Sequence, residues 1–380
     1  MHQRRRALIV VALAFLLLLT SAAPSFGQEK ERRDTWVRMH PVPSSESTQS
    51  TDATMAVAAV PPTDLNSCAA TAGPSVFSSR TRFYMCSSWK PAWLWQEGYT
   101  GGPIIGEIRG RLTFFSVADR LSRKVTTTVM IDQVVLSGTG NNASMGTRVT
   151  CTGLACSWPS QDTMQFAFNW ANGNYRSFTY SITNTGSGGA GAELKKFATL
   201  SAAYKVASEA NPTPLVNTWA TNHKPRCDSA AYITGSGGCV FYIFIPVFTL
   251  SISGDGVPEA ADHYRDAIEQ PQSTIPSVAN KSIPSLLHRT RNQSVINANT
   301  AAALNTCNTD PAFQNVNKTG KNCDEYPFAS TAEGASTGPQ HYSVRWINGS
   351  QNQLAGSKLA SFYGFNRVLD GDDFKVAISD

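Results

Sequence analysis

The chain has 380 residues, with 32 Lys and Arg against 27 Asp and Glu, eight cysteines and a formal charge of +5. A hydrophobic share of 41% at so small a net charge excludes a disordered polyelectrolyte and leaves room for about two folded domains. The charge is uneven: residues 66–237 carry 15 basic against 8 acidic residues, residues 238–380 carry 10 against 13. A net +7 region thus adjoins a net −3 region, a pattern that points the first toward a polyanionic partner.

In chain order, the opening MHQRRR is basic, ALIVVALAFLLLL is an apolar run of 13 residues, and TSAAPSFG supplies small residues. That order reads as a cleaved export signal over residues 1–27. The run is short of the roughly 20 apolar residues a membrane span needs. No later stretch reaches that length, so a secreted, extracellular protein with no stable membrane association after cleavage is expected. Residues 28–65 are rich in Ser, Thr and Pro and read as a disordered linker or propeptide.

Residues 66–237 read as an N-terminal all-β, sandwich-like domain. GEIRGRLTFFSV, KVTTTVMIDQVVLSG and RSFTYSIT are β-branched and aromatic, and GTGNNASMG and NTGSGGAG are turn-rich. The GSGG runs lack the Lys-Ser/Thr that a phosphate loop requires. From residue 238 the pattern becomes α+β. CVFYIFIPVFTLSI is a buried strand pair or one long strand, and VPEAADHYRDAIEQP is a helix that Pro258 starts and Pro271 stops. Residues 271–320 are Asn-, Ser- and Thr-rich with few large apolar groups. HYSVRWI is a strand, a helix begins near Ser350, and DDFKVAI is a closing strand.

An even cysteine count in an exported chain reads as disulfides. Sequence does not fix their connectivity. The pairing that closes short local loops joins Cys68 to Cys86, Cys151 to Cys156, Cys227 to Cys239 and Cys307 to Cys323.

The acids of KNCDEYPFASTAEG stand just before the strand that carries Arg345, and Asn352 falls in the first turn of the helix after it. Carboxylate and amide oxygens suit a hard divalent cation, and an arginine suits a phosphate. Taken singly, adjacent acids on a loop are more often solvated than functional. Asn352 reads equally as a cap, Arg345 as a surface strand residue, and His263 and His341 as ordinary histidines.

CDEYPFAST with AEG, then VRWINGSQNQLAGSKL, then RVLDGDDFKVAI resemble the NucA/NucB family of bacterial extracellular deoxyribonucleases. HYRDAIEQ and CVFYIFIPVFTLS extend the resemblance upstream, so that it covers about residues 238–380. DEYPFA is its most specific piece. The family is similar to the ββα-metal nucleases, and the resemblance implies a C-terminal α+β nuclease domain with an active-site motif of that type. It implies catalytic Asp324, at the place of a general base, with Glu325 orienting its neighbours and Arg345 on the phosphate. It also implies metal ligation by Asn352 and Glu333, with Mg²⁺ or Mn²⁺ as cofactor. His263 and His341 stand as alternative bases. DNA cut without sequence preference is the implied substrate, with RNA left open.

Two other classes compete. One is a non-catalytic secreted protein whose basic region binds DNA or cell-wall polymer. The other is a carbohydrate-active enzyme using Asp324 and Glu333 as an acid pair, with the SSWKPAWLW aromatics as a sugar contact.

Overall fold

Long β-branched and aromatic runs build the larger part of the molecule, and small-residue helices build the rest. The computed structural model describes residues 34–42, 62–153, 162–183, 191–235 and 237–380. The expected export signal and Cys156 lie outside them, as does most of the expected linker. Among the described residues no helix is long and apolar enough to cross a membrane.

The strands run β1 Thr35–Met39, β2 Phe77–Arg80, β3 Tyr84–Trp89, β4 Trp95–Tyr99, β5 Ile104–Ala118, β6 Lys124–Gly138, β7 Ser144–Gly153, β8 Asp162–Phe166 and β9 Ser177–Thr183. They continue as β10 Lys196–Ala207, β11 Leu215–His223, β12 Pro225–Asp228 and β13 Gly238–Phe241. Two short helices, α1 Leu65–Ala70 and α2 Ala167–Ala171, lie among them.

One sheet has the order β1-β4-β5-β3-β2, and β6 pairs with both β5 and β9. It can branch because β5 is 15 residues long: its first half pairs with β4 and its second with β3, while β6 runs along the other edge. The second sheet has the order β13-β12-β10-β7-β8, with β11 also on β10. Trp89, Trp95, Phe114, Tyr204, Trp219 and Phe241 fill one core contributed by both sheets. The all-β, two-sheet character expected of this region is present.

Three features refine the sequence reading. The expected linker contributes β1, which pairs from Thr35↔Tyr99 to Met39↔Trp95. Val37 and Met39 pack on the main core, a period-two pattern hidden by the Ser/Thr/Pro composition around it. CVFYIFIPVFTLSI is the strand pair rather than one long strand. The first ends at Phe241 in a turn closed by Phe244 N donating to the Phe241 carbonyl, and the second starts just after Pro246, which offers no backbone donor to a ladder. β13 then completes the second sheet, held to β12 by Cys227–Cys239. Residues 293–309 of the Asn-rich stretch form a helix. It buries Asn299, Ala303 and Cys307, four residues apart. A stripe of small side chains leaves little apolar signal.

The C-terminal elements are β14 Val247–Ser251, α3 Pro258–Glu269, β15 Leu286–His288, α4 Gln293–Thr309, β16 Lys321–Tyr326, β17 Ser343–Asn348, α5 Gly349–Phe365 and β18 Asp373–Ser379. β18 is the middle strand of a small sheet, parallel to β14 and antiparallel to β15. Phe248, Leu250, Tyr264, Tyr326, Leu359 and Phe374 join this sheet, α3, α5 and the β16–β17 hairpin in a second core.

Residues Thr35–Asp380 form one compact unit. A buried ionic lattice fastens its β-rich and C-terminal parts. Arg367 donates to both oxygens of Asp228, at 2.5 and 3.1 Å. Arg226 donates to Asp372 at 2.5 Å, and Arg82 reaches the same carboxylate at 3.3 Å. Burial and the neighbouring Arg226 push Arg82 down to about 10.

Candidate active site

β16 and β17 pair antiparallel, with Asp324 opposite Arg345 and Tyr326 opposite Ser343. Alternation sends Asp324, Tyr326, Ser343 and Ile347 to one face and Cys323, Val344 and Trp346 to the other. The first face packs on α3 and the second on α4. α5 follows β17 directly, its first turn capped by Asn348, whose side-chain oxygen accepts from Ser350 N and Gln351 N. Cys307 on α4 is bonded to Cys323, one residue before Asp324. The expected pairs Cys68–Cys86 and Cys227–Cys239 are also present. Serine at both Cys307 and Cys323 releases a loop of sequence separation 16. The expected loss is about 3 kcal/mol of stability in urea melts.

Asp324 is 4% exposed and both its oxygens are engaged. His263 Nδ1 donates to Oδ2 at 2.7 Å, and the Tyr264 hydroxyl donates to Oδ1 at 3.2 Å. The other ring nitrogen of His263 meets Ser343 Oγ at 2.8 Å. A neutral imidazole satisfies both contacts, accepting the serine proton at Nε2 while Nδ1–H serves the carboxylate. Burial, then the charge of Asp324, holds the Tyr264 hydroxyl far above its ordinary value, so it remains a donor. His263 is fully buried with both nitrogens occupied. It stands behind Asp324 as the hydrogen-bond partner of its Oδ2. His341 is exposed and donates to the Ser282 carbonyl at 3.2 Å.

Glu325 is half-buried, and its Oε1 accepts from Ala329 N at 3.0 Å. Burial, reinforced by the charge of Asp324, pushes it up to about 7. Arg345 is held by α3: Nη2 donates to Asp266 at 2.6 Å and Nη1 to Asp262 at 3.3 Å. A phosphate would therefore compete with two carboxylates for this guanidinium.

Asn352 Nδ2 approaches the Cys323 carbonyl at 3.5 Å, which sets the start of α5 against β16. Glu333 is committed elsewhere. Its oxygens accept from His288 Nδ1 at 2.5 Å and His288 N at 2.9 Å. That bond, with Asp373 3.2 Å from Nε2, raises His288 above its ordinary value. The hairpin, α3 and α5 thus bring together Asp324, Arg345, Asn352 and His263, while Glu325 pairs across to Val344 on the other face of the hairpin and Glu333 is tied to β15.

No group of three or more His, Cys, Asp and Glu residues among the described residues could cage a metal ion. The free donors are oxygens, with the Asn352 amide oxygen foremost. Such a set fits a hard cation held by one or two protein oxygens and otherwise by water and phosphate, the usual habit of Mg²⁺. It does not fit a multi-carboxylate cage.

Tyr264 and Ser343 were not singled out from sequence, nor were Asp262 and Asp266 as holders of Arg345. The four-residue spacing of the two aspartates on one helix was the available signal.

No curated protein and no solved structure matches the chain. The family model for deoxyribonuclease NucA/NucB matches residues 277–377. This span holds Asp324, Glu325, Glu333, Arg345 and Asn352, whereas α3 with His263 lies upstream of it. Over residues 277–377 the chain is thus similar to the deoxyribonuclease NucA/NucB family.

Proposed function

We propose that the chain is a secreted endonuclease that hydrolyses DNA phosphodiester bonds without sequence preference and depends on Mg²⁺ or Mn²⁺. The observation that carries this reading is the Asp324–Glu325 pair, set in a deoxyribonuclease-family region. One carboxylate is sealed behind His263 and Tyr264, and the other is half-open with its proton affinity near neutrality.

Glu325 is the member of the pair open to water and takes the proton of the attacking water. Asp324 is its fixed neighbouring charge, and His263 and Tyr264 keep that charge in place. Arg345 shifts from Asp262 and Asp266 toward the substrate phosphate. Asn352 would hold the metal through its amide oxygen, and Glu333 would join through the water shell on leaving His288. When bound, the cation neutralises phosphate charge and stabilises the leaving oxygen.

Plasmid digestion with and without chelator tests the reading. Nicking and linearisation are expected with Mg²⁺ or Mn²⁺ and are abolished by chelator. Intact plasmid under every condition sinks the nuclease assignment, and chelator-resistant cleavage sinks the metal dependence.

The pH profile tests Glu325 separately. Cleavage should rise about tenfold per pH unit below about 7 and flatten above it. Glu325→Gln should lose that limb. Stability runs the opposite way. A carboxyl raised from 4.5 to about 7 on folding contributes most at low pH, and its contribution fades as pH climbs through about 7.

A further inference from the structure

Glu97 lies two residues beyond Trp95 on the same face of β4 and is 4% exposed. Its Oε2 accepts from Thr139 Oγ1 at 2.6 Å. Among the described residues no basic side chain pairs with it. The carboxylate borders a cavity of about 260 Å³ lined by Thr139, Asn142, Glu209 and Ala210 as well. Thr139 and Asn142 come from the turn after β6, and Glu209 from the β10–β11 loop, so donors from both sheets meet there. Gly106 lets the turn approach: a Cβ at that position would stand 1.9 Å from Thr139 Oγ1.

An ionised carboxylate withdrawn from water is costly without a counter-charge, and a second carboxylate on the same cavity adds repulsion. A cation relieves both. The donors are two carboxylates, an amide and a hydroxyl, all offering hard oxygen, which excludes the thiol- and imidazole-seeking metals. At about 30 Å³ per water, the cavity holds an ion with several waters. Irregular donors from three segments suit calcium, with six to eight flexible oxygen contacts, better than octahedral magnesium. We propose that this cavity is a calcium site of the β-rich region, separate from the nuclease site, whose ion ties β4 and the turn after β6 to the β10–β11 loop.

Terbium luminescence, excited through tryptophan in the calcium-stripped full chain, provides the test. Trp36 packs on Gly98, the residue after Glu97, and is a close energy donor. A saturable Tb³⁺ signal displaced by Ca²⁺ at about 10⁻³ M or below is expected. Glu97→Gln and Glu209→Gln should each weaken Tb³⁺ binding about tenfold or more. Asn352→Ala, in the nuclease region, should leave the signal in place. The proposal is overturned by unchanged binding in both glutamate variants, by loss of the signal in Asn352→Ala, or by no saturable signal at all. Glu209 is exposed, so Glu209→Gln decides the matter if the buried variant fails to fold.

Discussion

Asp324→Asn should cut DNA cleavage at pH 8 by about a hundredfold, because Glu325 loses the neighbouring charge that raises its proton affinity and becomes a weaker base. The substitution keeps the shape of the side chain and removes its charge. Two further readouts separate this loss from misfolding. The charge of Asp324 helps to hold Glu325 high, so the pH–rate limb of the residual activity should move to lower pH. Thermal stability should fall less in Asp324→Asn than in Asp324→Ala. Alanine would leave His263 Nδ1–H and the Tyr264 hydroxyl without an acceptor in the interior. A buried donor left unpaired costs about 1–3 kcal/mol. Wild-type cleavage in Asp324→Asn, with an unmoved limb, would remove Asp324 from the chemistry.

The second large effect belongs to the ionic lattice between the β-rich and C-terminal parts. Asp228→Ala should destabilise the protein by about 3–5 kcal/mol, because it strands the guanidinium of Arg367, which is 1% exposed. The melting temperature should drop on the order of 10 °C. Near-UV dichroism from the tryptophan-rich β region and nuclease activity should disappear in the same transition, since Arg226 and Asp228 face Arg367 and Asp372 across the join. Two separate transitions would show that the parts fold independently. The lattice also makes a specific forecast for Asp372→Asn, which leaves Arg82 and Arg226 sharing a neutral acceptor. It should weaken the same transition while leaving the Asp324 constellation in place.

Much of this architecture was legible because local pattern and final packing agree. Strict alternation identified the strands of the β region, and Pro258 and Pro271 bracketed α3. Where they disagreed, the sequence misled. α4 buries Asn299, Ala303 and Cys307 and so lacks an apolar stripe. β1 is a short strand in a Ser/Thr/Pro-rich stretch. β13 and β14 are adjacent in sequence, yet join different sheets. The candidate site was legible in its residues more than in its contacts. Asp324, Glu325, Asn352 and Arg345 could be chosen by type and order. That His263 would lie behind Asp324, that Asp262 and Asp266 would hold Arg345, and that Glu333 would turn to His288 depend on tertiary placement of α3 and β15, which no local spacing encodes.

The small sheet of the C-terminal part has a kinetic consequence. β18 is its middle strand, and its parallel partner β14 lies far upstream, with Val247 paired to Lys375. Pairings between such distant segments close slowly, because the loop entropy is lost before any contact forms. Until β18 arrives, Phe248 and Leu250 lack the core they share with Phe374, and α3, which carries His263, lacks one of its packing surfaces. The constellation around Asp324 is therefore completed in a late step of folding, and a chain still emerging from a ribosome tunnel lacks the assembled site.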